Sequence, residues 1–122
     1  MPELPAGKLV KFGEKEFNFS LADSALELMR GLGGVTSLEQ YDGMLFDFGC
    51  QFDIHMWAKN LLFPIDVAFV DADGTVLQFG HLNPDAEQSF TLKADAPGRY
   101  ALEVPVGFFE EHNIQIGDKL EL

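Results

Sequence analysis

Apolar residues recur along this chain mostly at every second position, the period of a strand with one buried face, and only once at helical spacing. Lys8 to Phe12 and Lys15 to Leu21 alternate on either side of Gly13-Glu14, which predicts a hairpin whose tight turn uses the positive φ open to glycine. A helix follows. Asp23 or Ser24 can cap it, Ala25, Leu28, Met29 and Leu32 share one face, and Gly31, Gly33 and Gly34 stop it. Gly43 to Phe48 and Phe52 to Leu61 read as strands about a Gly49-Cys50-Gln51 turn, and Pro64, which lacks a ladder donor, marks a strand start or a bulge.

Ile65 to Val70 and Thr75 to Gly80 flank Asp71-Ala72-Asp73-Gly74 and form the clearest hairpin in the chain. After a polar loop over residues 81–88, Ser89 to Lys93 and Arg99 to Val104 predict a second hairpin through Asp95-Ala96-Pro97-Gly98. A short helix from about Pro105 to His112 would carry proline in its first turn, where the missing donor costs nothing. Ile114 to Ile116 and Asp118 to Leu122 alternate to the end. The expected fold is mainly β: a compact antiparallel sandwich or partly closed barrel with one early α-helix and a short C-terminal helix. We expect a single domain over 1–122, with an N-terminal hairpin at 1–21, a helix and Gly-rich turn at 22–34 and a β-rich body at 43–122.

Composition supports that picture and narrows the function. In 122 residues, 47% hydrophobic content with 12 Phe fills one core without staples. The lone Cys50 has no disulfide partner and no neighbouring base to lower its pKa, which makes it an inert small residue in a fold compatible with a reducing compartment. Twenty acidic against eight basic residues give a net charge of −12, which repels nucleic-acid phosphates and anionic lipid. Nucleic acid and membrane are therefore not expected partners. The acid excess serves solubility, and its sharper reading is a preference for cationic ligands or metal ions. No N-terminal basic-then-apolar stretch and no run near the roughly 20 apolar residues of a membrane span is present, so a soluble, cytoplasmic protein is expected; export is the alternative, should a signal peptide be missing from the chain.

Candidate chemistry lies where alternation gathers polar groups. In Phe52 to Leu61, Phe52, Ile54, Met56 and Ala58 fall on one face and Asp53, His55, Trp57 and Lys59 on the other. An aromatic plane beside a cation and an imidazole can stack a sugar or planar ligand; a Trp packed under a Lys stem is the structural alternative. Asp66 and Glu103 interrupt apolar strands, where an unpaired carboxylate is expensive, so Lys59 or Arg99 is expected to meet Asp66. A Lys59-Asp66-Glu103 cluster would be an acid/base or cation site, or an ion pair holding strands in register. Asp71-X-Asp73-Gly74 opens like a calcium loop, but Leu82 stands at the twelfth position, which makes it a turn. His55, His81 and His112 are scattered, and neither a nucleophile motif nor a phosphate-binding or dinucleotide loop is present, so no metal and no cofactor is expected.

The combination of Gly43-Met44-Leu45-Phe46-X-Phe48, Trp57-X-Lys59-Asn60-X-X-X-Pro64-X-Asp66 and Tyr100-X-Leu102-Glu103-Val104 resembles the bacterial and archaeal family known as domain of unknown function 192. The resemblance runs from about Leu26 to Leu122 and implies a mainly β barrel-like or sandwich domain. Ala58 stands where that family more often has Met, which opens space beside Trp57, and Leu61 where it has Thr, which removes a hydroxyl. Two functions from different classes follow. One is a binding or accessory module presenting His55, Trp57, Lys59, Asn60, Asp66 and Glu103 to a small molecule or partner protein. The other is a hydrolase using the Asp66 and Glu103 carboxylates, about 5–10 Å apart, with Lys59 as electrostatic partner.

Overall fold

The structure is a computed structural model that describes residues 1–122. Its body is one strongly curled sheet built from β1 (Gly7–Phe12), β2 (Lys15–Ala22), β3 (Gly43–Phe52), β5 (Ile65–Val70), β6 (Val76–Leu82), β8 (Gly98–Pro105) and β9 (Leu120–Glu121), in the order β6-β5-β8-β3-β2-β1-β9. A two-stranded ribbon of β4 (His55–Trp57) and β7 (Thr91–Lys93) stands apart from it. Helices α1 (Ala25–Arg30) and α2 (Phe108–Glu111) complete the fold. The mainly β expectation holds, with the sheet partly closed: Thr75 bridges Lys119, and the Leu120 N–H donates to the Gly74 carbonyl at 2.7 Å, bringing the two edges together.

The hairpins β1-β2 and β5-β6 form as the alternation predicts, Gly13 turning at φ 64° and Gly74 at φ 87°. Alternation along the strands then divides the apolar residues between two faces. One face gathers Val10, Phe17, Phe19, Leu45, Leu102 and Val104 with Phe108 and Phe109 of α2. There Phe108 meets Phe17 and Phe19 edge-on at 5.1 and 6.0 Å, contacts of about 0.5–1.5 kcal/mol each beyond simple burial. The opposite face carries Met44, Phe46, Ile65, Val67, Phe69 and Ala101, packed with Leu32, Val35, Ile54 and Leu61 from the connecting segments.

Six expectations are corrected. β2 and β3 run parallel, because the connection between them is a crossover through α1 rather than a tight turn. Gly49-Cys50-Gln51 is no hairpin turn: β3 continues to Phe52 with its register shifted against β8, Gly49 at φ 83° and its N–H donating to the Asp47 carboxylate at 2.9 Å, a β-bulge. The segment from Phe52 to Leu61 is a strand only at its centre, and the expected 89–104 hairpin is absent because β7 pairs with β4 while β8 lies between β3 and β5. The C-terminal helix starts at Phe108, with Pro105 still in β8, and residues 114–116 form no strand.

Close strand packing depends on glycine at one central point. A Cβ at Gly43 would lie 2.4 Å from the Glu103 carbonyl and 3.0 Å from Phe19 and Val104. Gly43→Ala is therefore expected to cost about 1–3 kcal/mol, the usual cost of overpacking, and to lower the urea midpoint with the slope unchanged. An unchanged midpoint would show that β3 can shift away from β8 freely.

Candidate functional site

A capping box starts α1. The Ser24 side chain accepts the Glu27 N–H at 3.3 Å, and the Glu27 carboxylate accepts the Asp23 and Ser24 N–H groups at 3.2 and 3.1 Å. Those backbone donors hold the Glu27 carboxyl below its ordinary range. The helix ends at Gly31, whose φ of 52° suits glycine and whose missing side chain has a second consequence: a Cβ there would sit 3.0 Å from the Phe46 ring and 3.1 Å from Glu103 Oε1. The chain can thus press its helix terminus onto the sheet above Glu103, and the Leu32 N–H donates to Glu103 Oε1 at 3.3 Å.

That long hydrogen bond is the only one the Glu103 side chain makes. The side chain lies on the face shared with Met44, its partner across β3, and Val67, its partner across β5, and the residue is 3% exposed. Burial in apolar surroundings pushes its carboxyl from the ordinary 4.5 up to about 8, with the Leu32 N–H opposing that rise only weakly. At neutral pH Glu103 is chiefly a neutral acid, able to donate a hydrogen bond as well as accept one.

A cavity of about 410 Å³ opens over it. Leu32, Phe46 and Leu61 are its buried apolar lining; Leu28, Phe48, Met56 and Leu92 are partly buried. The β4-β7 ribbon supplies one wall, with His55 paired to Lys93 and Trp57 to Thr91. It is held at both ends by the Ala58 N–H on the Phe90 carbonyl at 2.7 Å and the Ala94 N–H on the Ile54 carbonyl at 2.9 Å. Trp57 is 48% exposed, and Lys59 Nζ lies 5.1 Å from its ring centroid, a cation–π arrangement. Asn60, at φ 65°, accepts the Gly34 N–H on its carbonyl at 2.8 Å and belongs to a shallower adjoining depression that shares Met29, Arg30, Trp57, Lys59 and Leu61.

His55, Trp57, Lys59 and Glu103 therefore surround one cavity, with Asn60 beside it. Asp66 does not join them. It pairs with Val104, one position along β8 from Glu103, and so points to the opposite face of the sheet. There its carboxylate accepts the Gly107 N–H at 2.9 Å and lies 2.9 Å from His81 Nδ1. Neither expected cation reaches it: Arg99 is engaged by Asp47 at 3.1 Å, and Lys59 rests on Trp57. The Lys59-Asp66-Glu103 cluster is not assembled. In the Asp71 turn, the carboxylate accepts the Asp73 and Thr75 N–H groups at 2.9 Å each, the bonding of a closed turn. Sequence reasoning missed Arg30 and Lys93. Both stand on the site, but Arg30 reads as the ordinary basic end of a helix and Lys93 as the outer face of a short strand.

The chain belongs to the DUF192 family, described as an uncharacterized ACR, which it matches over residues 8–122. The match begins earlier than the residue motifs suggest and takes in the N-terminal hairpin. Among solved structures it is similar to a protein from Sinorhizobium meliloti 1021 described as a "putative transcription regulator", at 29% identity and TM-score 0.84 over 99% of this chain and 97% of that one. It is also similar to a protein of unknown function from Novosphingobium aromaticivorans DSM 12444, at 28% identity and TM-score 0.80 over 95% and 85% of the two chains. No functionally curated protein matches it.

The buried acid makes stability depend on pH. The folded protein keeps the Glu103 proton to about pH 8, whereas an unfolded chain releases it near 4.5. Between those values the native state binds more protons, so the Glu103 contribution is complete below the lower value and is lost as pH rises through the upper one. Glu103→Gln, which stays neutral and keeps the acceptor for Leu32, is expected to flatten this decline and to be more stable than the parent at pH 8. Urea unfolding at pH 5, 6.5 and 8 measures it, and parallel curves for the two proteins would refute the assignment.

Proposed function

For this member of the DUF192 family we propose the function of a small-ligand binding or accessory module, with the ligand seated in the cavity above Glu103. The observation that carries the reading is the cavity itself: about 410 Å³, within the range of roughly 300–1,000 Å³ usual for small-molecule sites, mostly apolar, with a few convergent polar groups. Glu103 adds weight. A carboxyl with one long hydrogen bond, placed in an apolar wall, is costly to keep for stability alone, and such groups concentrate at functional sites.

A hydrolytic pair of Asp66 and Glu103 has no support in this arrangement, because the two carboxyls face opposite sides of the sheet. The description of the Sinorhizobium protein as a regulator brings in nucleic acid as a partner only through that name. This chain, at −12, is poorly suited to follow a phosphate backbone directly. A regulatory role for the module would run through its ligand.

A thermal-shift screen of the purified protein against sugars, nucleotides, polyamines, divalent metals and small organic acids, with Trp57 fluorescence read on every hit, tests the proposal. True ligands are expected to raise Tm with concentration, by mass action on the native state, and to perturb the exposed Trp57. Thr91→Phe, at an exposed position opposite Trp57 on the cavity wall, should weaken every such hit at least about tenfold, the equivalent of some 1.4 kcal/mol. Hits that bind Thr91→Phe unchanged would place the ligand elsewhere and sink the proposal.

A further inference from the structure

Charge is distributed against the grain of this protein. The chain carries 20 acidic and eight basic residues, yet the cavity above Glu103 is lined by Arg30, Lys59 and Lys93, together with His55. Glu103 is the sole acidic side chain in the lining, and it faces the cavity from the buried end. None of the three cations is in an ion pair; of the five other basic residues Lys11 and Arg99 are paired with carboxylates, while Lys8, Lys15 and Lys119 are not. In a chain with 20 acids, three of its eight basic residues line one opening.

Exposure orders the cavity from end to end. Arg30, Lys59, Lys93 and His55 are exposed and form the mouth, while Leu32, Phe46, Leu61 and Glu103 are buried and form the floor. Exposed Leu26, Met29 and Leu62 border the adjoining depression, so apolar surface continues outward beside the cations. A simple inorganic anion would meet the cations but leave the apolar interior unfilled, and a neutral apolar molecule would leave the cations without a partner.

We infer that the cavity takes an amphiphilic organic anion, its apolar chain or ring lying inward against Phe46, Leu61 and Leu92 and its carboxylate or phosphate head held at the mouth by Arg30, Lys59 and Lys93. This rests on the binding-module reading and names the ligand class for that site. Glu103 at the floor, protonated at neutral pH, supplies one hydrogen bond to a polar atom on the buried portion and selects against ligands that carry a second negative charge there. Arg30 and Lys93 thus acquire a role as head-group residues, alongside Lys59 and its Trp57 platform.

Matched eight-carbon probes test the inference: octanoate, octyl phosphate, octanol and octylammonium, below micellar concentrations, followed by Tm and Trp57 fluorescence. Octanoate or octyl phosphate, or both, should bind more tightly than octanol, and octylammonium least; whichever anion is preferred identifies the head group. The anion advantage should shrink as salt rises, since the cations are exposed. Lys59→Gln and Lys93→Gln should each weaken the anion about two- to fivefold and the combined Arg30→Gln variant about tenfold or more, with octanol little changed. These positions are exposed, so the variants are expected to unfold at the parent temperature without ligand. Octanol matching the anions, or octylammonium exceeding them, would overturn the inference while leaving the module reading in place. No shift with any of the four would overturn the ligand class, and the module reading would fall separately only if the broader screen also found no ligand sensitive to Thr91→Phe.

Discussion

The site depends on one constraint, the placement of the Glu103 carboxyl beneath the end of α1. β8 is the strand between β3 and β5, so a residue in its middle is covered on both sides by backbone and on one face by whatever crosses the sheet. What crosses it here is the Gly31-Leu32 turn, and glycine at 31 lets that turn come down onto the carboxyl. The Leu32 N–H is then a single donor in an otherwise apolar setting, too little to keep the group ionised. The parallel pairing of β2 with β3 follows from the same geometry, since the crossover that carries α1 over this face must return the chain in the direction it left. Helix, crossover and cavity are in this sense one feature.

Electrostatics shows why global charge is a poor guide to a local site. A net charge of −12 suggests cationic ligands, and over the surface at large it acts mainly through a screened, long-range field. At the mouth of the cavity the nearest charges are Arg30, Lys59 and Lys93. Within a few ångströms those near charges outweigh the distant acids, because screening at ordinary ionic strength sets in over about 8–10 Å. The surrounding acids still matter, because they discourage anions from binding anywhere else on the protein. A strongly negative net charge acts on a long polyanion as a whole, whereas one small anion would meet chiefly the cations nearest to it.

The elements most legible in the sequence were those fixed by local chemistry. Gly13-Glu14 and Asp71 to Gly74 set their hairpins within a few residues, and of the two candidate caps, Asp23 and Ser24, it is Ser24 that starts α1. His55, Trp57 and Lys59 were readable as a group because they lie close in the chain, and Glu103 because a carboxylate between Leu102 and Val104 interrupts an apolar strand. What escaped was set by long-range pairing. β7 and β8 follow one another through a turn-like segment and still part company, β7 to join β4 and β8 to enter the large sheet; nothing in Asp95 to Gly98 distinguishes such a crossing from a hairpin. Gly49 reads as a turn residue for the same reason, since positive φ serves a bulge as well as a hairpin. Arg30 and Lys93, about half the chain apart, come to line one cavity only through that pairing.

Asp66 and Glu103 show how a single step in register separates structure from site. Both are acids in apolar strands, and each invites the expectation of a cationic partner. On β5 and β8 the facing pairs are Asp66 with Val104 and Val67 with Glu103, so the alternation of side chains sends the two carboxyls to opposite faces. Asp66 lies near the end of its strand, a quarter exposed, and finds a backbone donor at Gly107 and an imidazole at His81; it ties β5 to the turn that launches α2. Its hydrogen-bonding capacity is largely taken up within the fold. Glu103 lies deeper, where only Leu32 reaches it, and the second oxygen of its carboxyl is left without a hydrogen-bond partner from the protein. A carboxyl satisfied by its own fold serves as a brace, whereas one left half-satisfied at the wall of a cavity has bonding capacity to offer a ligand.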